Sequence, residues 1–150
     1  MKKTKYVIAA IVVVLLVISL FTLYENSKRT TFNEVVLKDL NVGEISSLQM
    51  IKSMNENEIS ITERNKIKEI IDCLSLIKLK ESGLSTIEYT DSYWITLRDD
   101  DKRRFGITLY DNTYISIFKY TENQPNLTFS YKITNENEID VETIEKWFNN

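Results

Sequence analysis

The chain has few of the residue types that most often carry catalysis or bind metals. Its 150 residues include no histidine, one cysteine (Cys73), three glycines and one proline. Without histidine, the chain lacks the commonest general base and the commonest transition-metal ligand. A single cysteine forms no internal disulfide, and three separated glycines provide no glycine-rich phosphate loop. The sequence therefore predicts no catalytic residue, no metal ligand and no cofactor.

Acidic residues are missing from the first 24 positions. Lys2, Lys3 and Lys5 lie in that stretch, and Glu25 is the first acidic residue. The rest of the chain has sixteen basic and 22 acidic residues, a net charge of −6. Because this charge repels nucleic acid and anionic lipid headgroups, we predict no nucleic-acid partner.

One long apolar run, Tyr6 to Tyr24, is the most specific feature of the sequence. It contains no charged residue, and only Ser19 and Thr22 interrupt its apolar character. At about 1.5 Å per residue, a helix over this run measures about 28 Å, enough to cross the hydrocarbon core of a bilayer. Tyrosines at both ends suit the headgroup layers. We predict a transmembrane anchor over residues 6–24, through which the protein meets the membrane.

A cleavable signal peptide is the alternative interpretation of this run. Signal peptides have shorter apolar regions and a small-residue cleavage site at the polar end, whereas this run ends in large residues. The segment Val17–Ser19 resembles a cleavage site but lies inside the run. No cysteine lies at the end of the run to carry a lipid, so a lipoprotein is excluded.

The charges that flank the run predict its orientation. Residues 1–5 carry three lysines, whereas the other flank mixes Glu25 with Lys28 and Arg29. The positive-inside rule places the lysine-rich arm in the cytoplasm and the remainder of the chain outside the cell membrane. We thus predict a single-pass protein with a cytoplasmic arm over residues 1–5 and an extracytoplasmic domain.

The chain after the anchor shows periodic patterns that predict one folded domain. Residues 25–34 are predicted to be a juxtamembrane linker, and residues 35–150 the domain. Strands are predicted over Ile45–Ser53 and Glu58–Ile61, with a polar turn between them. A helix is predicted from about Glu63 to Leu76, with Thr62 as its N-cap. Its apolar stripe recurs at helical spacing and consists of Ile67, Ile70, Ile71, Leu74 and Ile77.

The second half of the chain, from Tyr89 to Ile133, alternates as β-strands do. Turns are predicted at Asp99–Lys102 and at Asp111–Asn112. A short C-terminal helix follows, with Asp140 as N-cap and Ile139 and Ile144 spaced as a hydrophobic staple. Because short turns join the strands, the predicted fold class is α+β, with a mostly antiparallel sheet and two helices on one face.

Asp99–Asp101 and Cys73 are candidates for a functional site, but the sequence favours a structural role for each. Asp99–Asp101 is the densest acidic cluster, but it lacks calcium-loop spacing and is followed by three basic residues, which indicates a solvated turn. Cys73 has no histidine to activate it and lies at the edge of the apolar helix stripe, which indicates a small buried hydrophobe.

Aromatic side chains provide the candidate binding residues. When Tyr93, Ile95 and Leu97 face the core, Trp94 faces the opposite side of the sheet. Tyr110 and Tyr114 are predicted to share that outer side. Trp94, Tyr110 and Tyr114 are therefore the candidate aromatic patch for binding peptide or glycan. The alternative interpretation is structural, because aromatic side chains also favour strands.

Three stretches carry a resemblance to known proteins and cover about two thirds of the chain. They are ISSLQMIKSMNENEISITERNKIKEIIDCLSLIKLK, YWITLRDDDKRRFGITLYDNTYISIF and YKITNENEIDVETIEKWF. In this order of strand, turn, helix and hairpin, the chain resembles small membrane-anchored extracytoplasmic proteins of Bacillus-type Gram-positive bacteria, from families of unknown function. The resemblance implies a fold and a cell-surface location, and it assigns no functional residue.

These observations leave three functions open. The first is a membrane-tethered, non-enzymatic binding or accessory module with a protein or cell-wall partner. The second is a cell-surface hydrolase that uses carboxylate or tyrosine groups on cell-wall or peptide substrates. The third is a structural role in which the apolar helix binds the partner.

Overall fold

The N-terminal apolar run forms one long helix. The computed structural model describes residues 2–85, 87–122, 124–135 and 141–149. Helix α1 spans Lys2–Ser27. Within the described residues, its segment Tyr6–Ser27 is the one helix long and apolar enough to cross a membrane, with a mean hydropathy of 3.0. The large apolar side chains between Ile11 and Leu23 are exposed and pack on no other element, so this segment is suited to tether the chain to a membrane.

The predicted juxtamembrane linker is instead ordered structure that joins the sheet, which corrects the prediction for residues 25–34. Helix α1 continues to Ser27, strand β1 follows at Arg29–Thr31, and the one-turn helix α2 covers Phe32–Val35. The hydroxyl of Thr31 accepts from the Glu34 N–H, and the Glu34 carboxylate accepts from the Thr31 N–H. This capping box fixes the chain where a juxtamembrane linker was expected.

An ion pair also ties the end of α1 to the sheet. The Glu25 carboxylate accepts hydrogen bonds from Lys80 Nζ at 2.6 Å and from Lys28 Nζ at 3.0 Å. The Lys28 carbonyl accepts from the Glu81 N–H at 2.9 Å. The folded domain therefore begins directly at the end of the apolar helix.

The remaining elements follow in chain order. Two short 3₁₀ turns lie at Leu37–Asp39 and Val42–Glu44. The strands and helices after them are β2 (Ser47–Lys52), β3 (Asn57–Ile61), α3 (Arg64–Ser75), β4 (Lys78–Glu81), β5 (Ser92–Asp99), β6 (Lys102–Tyr110), β7 (Tyr114–Lys119), β8 (Leu127–Ile133) and α4 (Val141–Asn149). The strand and turn positions predicted between residues 45 and 133 are confirmed to within a few residues.

In the described residues, the strands form one eight-stranded antiparallel sheet. Their order is β1-β4-β8-β7-β6-β5-β2-β3. Sequential hairpins build the part from β5 to β8, whereas β4 lies beside β8 and far from β5. The β5–β6 and β6–β7 turns have Asp100 and Asp111 in the left-handed region, with φ of 49° and 48°. Aspartate tolerates this conformation better than most residues, which explains its presence at both turns.

One face of the sheet carries the hydrophobic core. Cross-strand neighbours on this face include Ile95 and Ile107, and Leu109 and Ile115, all at most 1% exposed. Residues at the intervening positions point to the other face, as the two-residue period of a strand requires. We name this second side the outer face.

Helix α3 covers the core face because it connects β3, at one edge of the sheet, with β4 near the other. Its buried side chains are Ile67, Ile70, Ile71 and Leu74, as the apolar stripe predicted. The predicted N-cap is wrong, because Glu63 occupies the cap position without a side-chain hydrogen bond. The chain leaves β3 only after Ile61, and the first helical hydrogen bond runs from the Ile67 N–H to the Glu63 carbonyl. Thr62 therefore lies one residue too early.

Helix α4 packs on the same face. Ile144 and Trp147 are buried, and the ring of Phe148 lies 6.0 Å from that of Tyr93. Lys52 Nζ holds the helix through Glu145 at 2.6 Å. The predicted α+β class, with an antiparallel sheet and two helices on one face, is confirmed. The predicted N-cap Asp140 and staple residue Ile139 lie outside the described residues.

Candidate binding surface

The three aromatic residues predicted as a patch meet on the outer face. Trp94 of β5 lies opposite Thr108 of β6, and Tyr110 of β6 lies opposite Tyr114 of β7. Since Thr108 and Tyr110 are two positions apart on one strand, Trp94 and Tyr110 are diagonal neighbours on the same face. Register alone therefore places the three rings together.

These rings are available to a partner because the helices α3 and α4 occupy the opposite face. Trp94 is 51% exposed, and Tyr110 and Tyr114 are half-buried. An exposed tryptophan on a strand offers a large, rigid contact area at low entropic cost. The face is thus suited to binding by ring contact.

A loop residue that sequence reasoning missed extends the patch. The ring of Tyr89 meets the ring of Tyr110 edge-on, with centroids 4.9 Å apart. Tyr89 belongs to the segment 82–91, which connects β4 with β5 across three intervening strands, and we name this segment the strap. Burial raises the pKa of the Tyr110 phenol, so its hydroxyl stays protonated and can donate a hydrogen bond. No periodic signal marks a loop tyrosine in a sequence.

Aspartates hold the end of the strap against the sheet. The Asp111 carboxylate accepts from the Thr90 N–H and the Asp91 N–H, each at 3.0 Å. The Asp91 carboxylate in turn accepts from the N–H groups of Ser92 and Met54. These bonds satisfy backbone donors where the strap enters β5, and they fix Tyr89 beside Tyr110.

A second aromatic pair lies farther along the outer face. Phe118 of β7 faces Gly106 of β6, and its ring lies 4.8 Å from that of Tyr120. The Tyr120 ring approaches the space above Gly106, where a Cβ atom would lie 3.6 Å from it. Phe118 follows Tyr114 at an even spacing, so the strand period contained a signal that the prediction did not use.

Uncharged hydroxyl side chains fill the area between the two aromatic groups. One cross-strand row continues from Trp94 through Thr108 and Ser116 to Ser130. Hydroxyls both donate and accept hydrogen bonds, and aromatic rings offer flat apolar surface. This combination suits a ligand that has hydroxyl groups and apolar faces and no strong charge.

Basic side chains border the outer face on the side of helix α1. Tyr114 lies opposite Lys132, Lys132 opposite Lys80, and Lys80 opposite Arg29. Lys80 pairs with Glu25 at 2.6 Å. This row leads from the end of helix α1 to the aromatic patch.

Two of the acidic side chains near the outer turns, Asp99 and Glu122, are paired with cations. Asp99 contacts Arg104 at 3.2 Å, and Glu122 contacts Lys102 at 2.7 Å. The hydrogen bond from Lys102 lowers the pKa of Glu122, and the hydrogen bond from Lys119 lowers the pKa of Asp39. Glu122 and Asp39 are therefore ionised at neutral pH and do not supply the protonated acid that glycoside hydrolysis needs.

A partly buried charged cluster lies on the core side of the sheet. Lys52 contacts Glu145 at 2.6 Å and Asp91 at 3.5 Å, and lies 5.7 Å from the centre of the Tyr93 ring. The hydrogen bond to Glu145 raises the pKa of Lys52, and burial raises the pKa of the Tyr93 phenol. A lysine kept protonated in this way holds α4 on the sheet and is not a general base.

Cys73 lies half-buried on α3. Burial raises the pKa of its thiol, which disfavours the reactive thiolate. Within the part of the chain that the structure describes, no group of three or more His, Cys, Asp or Glu side chains is placed to hold a metal ion.

Comparison with known proteins finds no relative of this chain. The chain matches no family model, no curated protein sequence and no solved structure. The outer face, with Trp94, Tyr110 and Tyr114 side by side, is therefore the basis for proposing a function.

Proposed function

We propose that the protein is a membrane-tethered, extracytoplasmic binding module whose outer sheet face holds a glycan of the cell wall. The observation that carries the proposal is the placement of Trp94, Tyr110 and Tyr114 on one exposed face. The hydrolase alternative receives less support, because Asp99 and Glu122 near the outer turns are paired with arginine and lysine.

A glycan suits this face better than a charged partner does. The C–H faces of sugar rings pack on aromatic rings, while sugar hydroxyls exchange hydrogen bonds with threonine and serine. Thr108, Ser116 and Ser130 provide such groups beside Trp94, and none of them is charged. Electrostatic attraction therefore contributes little at the centre of the face, and shape and ring contact decide the specificity.

The proposed location places the domain where cell-wall glycans are found. Lys2, Lys3 and Lys5 precede the apolar helix, which favours a cytoplasmic N-terminus. The resemblance to membrane-tethered proteins of Bacillus-type bacteria favours the same location. Because the domain begins directly after the helix, the outer face stays close to the membrane surface.

Protease treatment of intact protoplasts tests this orientation. We expect added protease to degrade residues 28–150 and to spare the N-terminal arm, detected by an antibody to a tag placed before Met1. Disrupted protoplasts, in which both sides are accessible, serve as the control. A domain that stays intact until the protoplasts are disrupted would place it in the cytoplasm. The mass of the membrane form should equal that of the uncut chain.

Binding to purified cell-wall sacculi tests the glycan proposal. We expect the full chain in detergent to sediment with sacculi, and Trp94→Ala to weaken the apparent affinity about tenfold or more, because an anchoring ring contact is lost. Leu76→Ala is the matched control, since Leu76 is 56% exposed but lies at the end of α3, away from the outer face. Equal sedimentation of the Trp94 variant and the wild-type chain would contradict the proposal.

A further inference from the structure

Among the described strands, β8 has one edge that is only partly paired and that opens into a cleft beside the anchor. Strand β4 pairs with β8 only over residues 131–133, so residues 127–129 have a neighbouring described strand on the β7 side alone. A cleft of about 720 Å³ lies along this edge, and we name it the junction cleft. The end of α1, the start of β1, residues 81–83 and residues 128–131 line it.

Backbone hydrogen-bonding groups of β8 point into the junction cleft. In an antiparallel strand, the N–H and C=O of one residue point to the same neighbour, and alternate residues point to opposite neighbours. The Ser130 carbonyl accepts from the Ser82 N–H at 3.1 Å, which is on the cleft side. Thr128, two residues earlier, therefore presents its N–H and C=O to the cleft, as a strand edge open to pairing does.

The side chains beside this edge add an alternating pattern. Phe129 and Leu127 are 38% and 46% exposed and lie on the core side of the sheet, beyond the cover of the helices. Thr128 and Ser130 lie on the outer side. A strand placed in the cleft would meet apolar surface on one side and hydroxyls on the other.

We propose that the junction cleft binds an extended peptide segment of another protein, which adds to the sheet as a strand beside residues 127–130 of β8. Main-chain hydrogen bonds to Thr128 would provide affinity, and contact with Phe129 would favour apolar side chains at alternate positions. The volume of the cleft lies within the usual range for binding sites, about 300–1,000 Å³. Because Tyr24 and Lys28 of the anchor end line the cleft, the bound segment lies at the membrane surface. This site is separate from the aromatic patch and does not depend on glycan binding.

Peptide binding to the full chain in detergent micelles tests this proposal. The probe is a blocked seven-residue peptide of alternating threonine and valine with a lysine at each end. We expect it to slow hydrogen exchange of the Thr128 amide about tenfold or more at about 1 mM peptide. No change in exchange at that concentration would overturn the proposal. Protection that depends on protein concentration without peptide would overturn it in favour of a second copy of the chain.

Two variants of Thr128 test whether the peptide binds at the edge of β8. Thr128→Pro removes the N–H that faces the cleft and leaves the bonds to β7, whereas Thr128→Ala changes only the side chain. We expect the proline variant to lose peptide binding about tenfold or more and the alanine variant to keep it. Equal binding by both variants would contradict strand addition.

A third variant blocks the cleft without touching β8. Gly83 lines the cleft, its φ is not positive, and a Cβ atom there meets nothing within 4 Å. Gly83→Trp is therefore expected to fold and to exclude the peptide, which keeps the proposal testable if Thr128→Pro unfolds. Undiminished peptide binding by a folded Gly83→Trp variant would contradict the proposed site.

Discussion

Replacing Leu74 by alanine is expected to lower the free energy of unfolding by about 2–5 kcal/mol, and Ile71→Ala to act alike. Both side chains are fully buried where α3 crosses the core face. The substitution removes apolar contacts and leaves a cavity that the surrounding sheet fills only in part. Urea unfolding of the full chain in detergent, followed by near-ultraviolet circular dichroism, measures the change.

A residue on the solvent-exposed face of α3 provides the control for this prediction. Lys68 is 69% exposed and pairs with Asp72 across one helical turn at 2.8 Å. Lys68→Ala is expected to change stability by about 0.5 kcal/mol or less, because an exposed ion pair contributes little. If Leu74→Ala cost no more than this control, α3 would not be packed on the sheet, and its apolar stripe would become a candidate partner surface.

Replacing Phe32 by alanine is expected to cost about 3–5 kcal/mol, although sequence analysis places it in the linker. Phe32 is fully buried, and its N–H donates to the Ile77 carbonyl at 3.1 Å. Its ring therefore joins the beginning of the domain to the core, and the alanine variant leaves a large cavity there. The same urea titration measures the loss.

Asn33, next to Phe32 in the chain, is the control that distinguishes an effect of burial from an effect of any substitution in this segment. Asn33 is exposed, so Asn33→Ala is expected to change stability by about 0.5 kcal/mol or less. A small effect of Phe32→Ala, equal to that of Asn33→Ala, would show that residues 25–34 act as a linker after all.

Local patterns in the sequence determined most of the elements of this protein, but not β1, α2 or β4. The uncharged run from Tyr6 to Tyr24 predicts a spanning helix because each residue adds about 1.5 Å, and length and polarity are properties of the run itself. Alternation along β5 and β6 predicts which residues face the core. It therefore also predicts that Trp94 and Tyr110 face away from it. The buried face of α3 is likewise predicted by the helical spacing of its apolar residues alone.

Tertiary structure decided how these elements meet. A two-residue period indicates the face on which a side chain lies but not the strand that lies beside it, because pairing joins residues far apart in the chain. Only the fold places β4 beside β8, leaves residues 127–129 without a described strand on the cleft side and brings Tyr89 onto Tyr110. Phe32 was missed because a single aromatic in a polar segment has no period, and its burial depends on α3 and β4, which follow later in the chain.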